Sequence, residues 1–210
     1  MKIGIIGSGN IGGNFGIHLA KAGHEVMFSS RHPEQLTALK EEAGPNAQTG
    51  TPDKAAVFGE VVVLSVPFKA IEKVARETGV LLRSKVIIDT CNPYPDRDGE
   101  VATRVINDPA LRQSGYTEQQ FPHSKVVKAL NTIYYVHLRN YAFRPAENRI
   151  GLPIAGDDPE AKKVVSQLLQ DIGFDAVDVG TLDNSTVMEV DQLLYGQLLS
   201  AKAIKEKLDS

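Results

Sequence analysis

One cysteine, Cys91, stands in 210 residues, so the chain holds no internal disulfide and no cysteine-ligated metal cluster. At the end of a predicted strand it reads as a small buried packing residue rather than a nucleophile. Excess charge of one sign is also lacking. With 23 basic and 26 acidic residues the net charge is −3, and no five like charges run together, which leaves no electrostatic footprint for nucleic acid or an anionic membrane. Long apolar runs are missing too. Stretches such as Val61 to Val66 fall far short of the roughly 20 residues that cross a bilayer. Met1 leads into the first predicted strand without a signal peptide, so a cytoplasmic location is expected. His18, His24, His32, His123 and His137 have no paired metal spacing. There is no nucleophile elbow, no Walker-type lysine loop and no carboxylate pair in a convincing setting. The length fits a single domain over residues 1–210 and leaves no room for a second catalytic domain of comparable size.

What is present begins within the first dozen residues. Lys2 to Ile6 is a short apolar run suited to a buried parallel strand, and Ile11, Phe15, Leu19 and Ala22 recur at helical spacing. Between them lies Gly7-Ser8-Gly9-Asn10-Ile11-Gly12. Three glycines at this spacing are a weak signal alone, but strand, glycine turn and helix is the order that a dinucleotide-binding unit requires. Gly7 allows the tight turn, Gly9 leaves no side chain between backbone and pyrophosphate, and Gly12 lets the helix lie close on the strand. Ser8, Asn10 and Ile11 complete the loop whose free amides would hold the pyrophosphate.

An acid is missing at the next position where one is expected. A second strand, Glu25 to Ser30, ends about where NAD-binding sheets carry an Asp or Glu for the ribose diol. Here stand Ser29, Ser30 and Arg31. A carboxylate would repel a 2′-phosphate, whereas hydroxyls and a guanidinium accept one, so the chain is read as binding NADP(H). His32 is a secondary candidate donor.

Apolar strands go on alternating with helical segments, which predicts an α/β fold: a Rossmann-type, doubly wound, mostly parallel sheet. Further strands are expected at 47–50, 61–66, 86–90, 126–130, 152–155 and 176–179, with helices at 33–42, 52–59, 68–78 and from Pro159 to Gly173. Thr186 and Glu189 pair as a capping box before a long C-terminal helix over 184–207, bearing Val187, Val190, Leu194, Leu198, Ala201 and Ile204. The wide apolar arc of that helix predicts a homodimer. The region Tyr94 to Ser124 is too polar and too long for a simple connection. It reads either as a flap or wall over the substrate side, with a helix around 101–106, or as a surface loop.

The nicotinamide end of the coenzyme belongs beyond the fourth to sixth strands, so Ser65, Val66, Pro67, Asn92 and the stretch Ala129-Leu130-Asn131-Thr132 are its expected wall. Asn131 can both donate to and accept from the carboxamide; alternatively it caps a short helix over 132–138. Tyr134, Tyr135 and His137 either line an acceptor pocket or belong to the core. A redox cofactor pair needs chiefly alignment, since the cofactors carry the chemistry. The want of an evident acid or base fits that requirement.

These residues bring the chain close to a known family. It resembles the NADP oxidoreductases dependent on coenzyme F420, the 8-hydroxy-5-deazaflavin, and also the reductase domain of the six-transmembrane epithelial antigen of prostate metalloreductases. The resemblance runs through the glycine loop, Ser30-Arg31, Val66-Pro67, Val127 to Thr132, Leu152 to Asp158 and Gly180 to Ser185. It implies that Ser8 to Ile11 hold the pyrophosphate, that Ser30 and Arg31 hold the 2′-phosphate, and that Ala129 lies by the nicotinamide. It also implies hydride transfer between NADP(H) and a flavin or deazaflavin acceptor. Deazaflavin enzymes can carry a histidine at the position of Asn131 and small residues at those of Tyr134 and Tyr135; Asn131 stands nearer the metalloreductase pattern. Gln35 occupies a place where another basic residue could have supported the phosphate. Two alternatives stay open: reduction of a small carbonyl or imine, and a regulatory module that holds NADP without turnover.

Overall fold

The computed structural model describes residues 1–108, 111 and 113–210. Its first half repeats strand and helix: β1 Lys2–Ile6, α1 Asn10–Lys21, β2 Glu25–Ser29, α2 Thr37–Ala43, β3 Ala47–Gly50, α3 Pro52–Phe58, β4 Val61–Leu64, α4 Ile71–Thr78 and β5 Val86–Asp89. Three helices follow, α5 Pro95–Asp98, α6 Glu100–Asn107 and α7 Gln113–Gln120, and then β6 Lys125–Lys128, α8 Tyr135–Asn140, β7 Gly151–Gly156, α9 Pro159–Asp171, β8 Asp175–Asp178 and α10 Ala201–Leu208. The eight strands form one sheet in the order β3-β2-β1-β4-β5-β6-β7-β8. Every neighbouring pair is parallel except β6 and β7.

Strand alternation sorts the apolar residues onto two faces. Ile3, Ile5, Val61, Val63, Ile88 and Val127 face one core, closed by Phe15 and Leu19 of α1, Leu138 of α8 and Leu168 of α9. Ile6, Val62, Leu64, Ile87 and Val126 face the other, closed by Ala55, Ile71, Val105 and Tyr116. Burial on both faces explains why the strands are continuously apolar rather than alternating. Because β1 is followed outward by β2 on one side and β4 on the other, the strand order reverses there, and a crevice opens at their C-terminal ends.

Three expectations are corrected. The segment 94–124 is not a plain surface loop: Val105, Tyr116 and Phe121 are buried in the second core, Ala102 is buried as well, and Tyr116 stacks on Phe68 with ring centroids 5.0 Å apart. Its unforeseen helix α7 covers a sheet face, and among the described residues of the segment Tyr94 and Arg97 reach the crevice and wall it. The helix expected at 132–138 starts later, at Tyr135. The largest correction concerns the C-terminus. In place of a helix over 184–207, a 3-10 turn spans Leu182–Met188, an irregular strap follows, and α10 keeps eight residues.

Tertiary partners account for that last difference. Gly196 N–H donates to the Thr132 carbonyl at 3.0 Å, and the Leu199 carbonyl accepts from Gly151 N–H at 2.8 Å. Asp191 and Gly196 sit at φ of 63° and 69°, conformations that a continuous helix excludes. The Glu189 carboxylate, expected to close a capping box, accepts from the Gln113 amide at 2.9 Å instead. Among the described residues no helix is long and apolar enough to cross a membrane.

Candidate active site

The glycine loop lies at the reversal of strand order, and each glycine has its own reason. Gly7 has φ of 96°, and a Cβ there would stand 2.2 Å from the Ser65 carbonyl oxygen. A Cβ on Gly12 would stand 2.2 Å from the Gly7 carbonyl oxygen. Over Gly9 there is open space, with nothing within 4 Å of a Cβ. Gly9 caps α1 without a side-chain hydrogen bond, and the first turn carries no acid. The Gly12 amide donates to Ser65 Oγ at 3.1 Å and the Gly13 amide to the Gly9 carbonyl at 2.7 Å. The amides of Asn10 and Ile11 therefore face the crevice at the positive end of the helix dipole.

Two connected cavities flank this loop. One, of about 520 Å³, runs from Gly7, Ser8 and Gly9 to Ser29, Ser30 and Arg31, and its far wall carries Lys69, Lys73 and Glu77. The other, of about 500 Å³, is lined by Gly9, Asn10, Ile11, Ser65, Val66 and Pro67 on one side, and by Asn92, Leu130, Asn131, Thr132, Ile133, Tyr134 and Tyr135 on the other. Gly9, Val66 and Pro67 belong to both. The result is one trough with a cationic end and a tyrosine-rich end.

At the cationic end Arg31 is exposed and Ser30 is half-buried, with Ser30 Oγ accepting from the His32 amide at 3.1 Å. Ser29 differs from expectation: its hydroxyl donates inward to the Ile5 carbonyl at 2.7 Å and is buried, so it braces the sheet instead of receiving a phosphate. Ser8 Oγ accepts from the Ser29 amide at 3.0 Å and donates to the Ser29 carbonyl at 3.1 Å, tying the glycine loop to the end of β2. Lys69 and Lys73, on the opposite wall, were not singled out in the sequence. They supply the cations that Gln35 does not.

At the other end the polar groups are buried and mutually bonded. Asn92 Nδ2 donates to the Asn131 carbonyl at 2.8 Å, and Asn131 Nδ2 donates to the Met188 carbonyl at 2.7 Å. Asn131 Oδ1 is buried with no partner. Ala129, expected beside the nicotinamide, packs fully buried in the first core; its neighbour Leu130, at φ of 62°, turns to the cavity instead. Behind this wall, Lys128 Nζ lies 3.1 Å from Asp89 Oδ2 and also donates to the Cys91 carbonyl. Cys91 N–H donates to Asp89 Oδ1 at 2.9 Å. Burial, reinforced by the Asp89 charge, pushes the Cys91 thiol well above its ordinary range, and Sγ donates to the Leu64 carbonyl at 3.4 Å. It is a packing residue with no nucleophilic character.

Tyr134 and Tyr135 line the cavity with ring centroids 4.6 Å apart, and Tyr134 is 56% exposed, which decides for the pocket over the core. Tyr195, from the C-terminal strap, and Tyr94 complete the wall, their hydroxyls 2.5 Å apart. Neither was identified from sequence. Tyr195 was assigned to a helix, and only the strap brings it here. Burial raises the Tyr195 pKa, and the hydrogen bond with Tyr94 adds to that rise. Among the described residues, no group of histidine, cysteine or carboxylate side chains could hold a metal ion.

An NADP(H) molecule fits these features on three counts. Open space over Gly9 admits a pyrophosphate against the α1 amides. The end of β2 carries a guanidinium and no carboxylate. The orphaned Asn131 Oδ1 lacks a donor of the kind that a carboxamide provides.

Fold and trough together define an NADP-dependent oxidoreductase built on a doubly wound dinucleotide-binding sheet. More particularly, the chain is related to the coenzyme F420-dependent NADP oxidoreductases, the sequence model of that family matching residues 2–93. The F420-dependent NADP reductase of Methanocaldococcus jannaschii is 28% identical over 215 residues, which cover 97% of this chain and 95% of that protein. Metalloreductase STEAP3 of Rattus norvegicus is 28% identical over 190 residues, covering 90% of this chain but 36% of the relative. A solved structure of the hypothetical protein SMa0349 from Sinorhizobium meliloti superimposes with a TM-score of 0.80 at 22% identity, over 95% of each chain, a likeness of fold alone.

Proposed function

We propose that this chain transfers hydride between NADP(H) and coenzyme F420 or a related flavin, and that its 210 residues work as one catalytic unit in a cytoplasmic setting. The reading rests on the sequence relationship to F420-dependent NADP reductases along nearly the whole chain and on one structural observation. That observation is the buried, unpartnered Asn131 Oδ1 where the two cavities' shared trough enters its tyrosine-rich end.

When bound, NADPH supplies the hydride. The residues of the chain do the rest by placement. The Asn10 and Ile11 amides receive the pyrophosphate, and Ser30 and Arg31 receive the 2′-phosphate, with Lys69 and Lys73 adding positive potential from the facing wall. Asn131 Oδ1 accepts from the carboxamide and so selects which ring face looks into the tyrosine-rich pocket. Val66, Pro67, Leu130 and Ile133 give that pocket an apolar lining that excludes water, while Tyr134 and Tyr135 offer flat surfaces to a planar ring. A small carbonyl substrate would leave most of about 500 Å³ unfilled. All these residues come from one chain, so the reading does not require the homodimer, whose basis was the long helix that the strap replaces.

The test is the decay of NADPH absorbance on adding F420, then FMN, FAD and riboflavin in turn. Turnover with F420 or a flavin is expected. Inactivity with all of them, in protein that binds NADPH, would overturn the reading.

A further inference from the structure

The polar side chains of the acceptor pocket form one hydrogen-bonded ribbon. Asn131 Nδ2 donates to Asn92 Oδ1 at 3.3 Å, Asn92 Nδ2 donates to the Tyr94 hydroxyl at 3.4 Å, and the Tyr94 and Tyr195 hydroxyls share a bond of 2.5 Å. Each phenol carries one proton. Two hydroxyls joined by a single hydrogen bond commit one proton and leave the other free. Either hydroxyl can donate in that bond, and in both arrangements the pair keeps one phenolic proton with no acceptor among the described residues. The two ends of the ribbon thus differ in kind. At Asn131 it offers an empty acceptor, and at the tyrosine pair an uncommitted donor.

Charges of both signs lie near the donor end, Asp98 paired to Arg97 and Asp191 acting on Tyr195, but neither carboxylate lines the cavity. Arg97 is the single charged side chain lining this pocket among the described residues, and its guanidinium lies 4.8 Å from the centre of the Tyr94 ring. It is fixed there by Asp98 at 2.8 Å and by the Asn92 carbonyl at 2.7 Å. Such a preorganised donor beside a fixed cation favours negative charge that develops on a neighbouring ligand. Burial keeps the Tyr195 hydroxyl protonated through the neutral range, so it serves as a donor and not as a base.

We propose that the Tyr94–Tyr195 pair donates a hydrogen bond to a ring oxygen or nitrogen of the redox acceptor and stabilises its reduced, anionic form. This rests on the hydride-transfer reading above. In that step a C–H bond of the reduced nicotinamide breaks and its electron pair forms a C–H bond at position 5 of a deazaflavin, or an N–H bond at the corresponding nitrogen of a flavin. The coenzyme is oxidised, and the acceptor is reduced by two electrons with one added negative charge. The phenolic proton stays on oxygen, and water supplies the proton that completes the product.

A donor of this kind distinguishes the redox forms of its ligand, which a packing role would not. The experiment titrates oxidised and anaerobically reduced F420 against wild type, Tyr195→Phe and the double variant Tyr94→Phe/Tyr195→Phe, following ligand fluorescence. Hydrogen bonds to charged groups are worth enough that the double variant should bind reduced F420 roughly tenfold or more weakly. Its affinity for the oxidised form and for NADP should change by less than about threefold, since neutral hydrogen bonds contribute less. Its kcat should fall roughly 10- to 100-fold, short of the loss of a full oxyanion donor. Equal losses for the two redox forms, or none, would overturn the donor role while leaving hydride transfer in place. Wild-type protein that neither binds nor reduces F420 or any of the flavins would overturn both.

Discussion

The Lys128 ammonium lies 3.1 Å from the Asp89 carboxylate, with side chains 1% and 0% exposed. The two residues are register partners at the C-terminal ends of β6 and β5, and the same lysine also bonds the Cys91 carbonyl. The pair therefore sets the turn that carries Asn92 into the trough. Lys128→Met leaves an uncompensated buried charge, which costs about 3–5 kcal/mol. Urea unfolding should register that loss, and adding Asp89→Asn should restore part of it. A loss below about 1 kcal/mol would mean that the pair is dispensable.

The glycine loop separates folding from binding. Gly12→Ala drives a Cβ to 2.2 Å from backbone oxygen and should lower the melting temperature markedly. Gly9→Ala meets nothing within 4 Å and should cost no more than about 1 kcal/mol, the scale of an N-cap change, yet abolish NADPH binding by filling the pyrophosphate cradle. Melting curves paired with NADPH titrations check both. Unimpaired NADPH affinity in Gly9→Ala would refute the placement of the pyrophosphate.

Arg31 is the exposed cation at the end of β2. Charge-assisted hydrogen bonds contribute about 1.5–3 kcal/mol, so Arg31→Ala should weaken NADPH roughly 10- to 100-fold and NADH little. Equal losses for the two coenzymes would remove the 2′-phosphate assignment. Lys73→Ala should act in the same direction and less strongly, because Lys73 also faces Glu77 at 3.7 Å.

Asp98 makes a pH-dependent contribution. Burial alone would raise its pKa, but hydrogen bonds from Arg97 and from the Tyr94 and Lys69 amides outweigh that and hold the carboxyl below its ordinary value of 3.8. A lowered folded value means that its stabilisation is complete above the unfolded pKa and is lost as pH falls through the folded one. Asp98→Asn should therefore flatten the acid limb of the stability curve below about pH 4 and change Tyr94-dependent acceptor affinity. An unchanged acid limb in denaturant titrations at pH 2–5 would contradict this assignment.

Much of this architecture was legible in the sequence because local and global signals agree. The apolar runs of β1, β4 and β5 and the glycine loop mark the sheet and its switch point, and Pro159 marks the start of α9, where Asp158 accepts from the Ala161 amide at 2.7 Å. Asn92 and Asn131 were readable as well, since strand ends on one edge of a parallel sheet converge. What escaped was decided over long separations in sequence. Tyr195 sits in a pattern of helical period, and only the pairing of Gly196 with Thr132 and of Leu199 with Gly151 turns it toward Tyr94. A lysine inside the apolar stretch Val126 to Leu130 and an acid closing Val86 to Asp89 could have suggested the Lys128–Asp89 pair, because a buried charge demands a partner.

In the proposed reading, most residues that face the coenzyme and those that face its reaction partner occupy different stretches of chain. Gly7 to Gly12, Ser30, Arg31 and Ser65 to Pro67 fall within residues 2–93, the part matched by the family model. Tyr94, Arg97, Tyr134, Tyr135 and Tyr195 all fall after it, while Asn131, also beyond it, is the contact proposed for the coenzyme's carboxamide. Acceptor preference can consequently drift, or be redesigned, by exchanging the 94–99 turn and the 189–196 strap as a matched set, with the nucleotide cradle inherited unchanged.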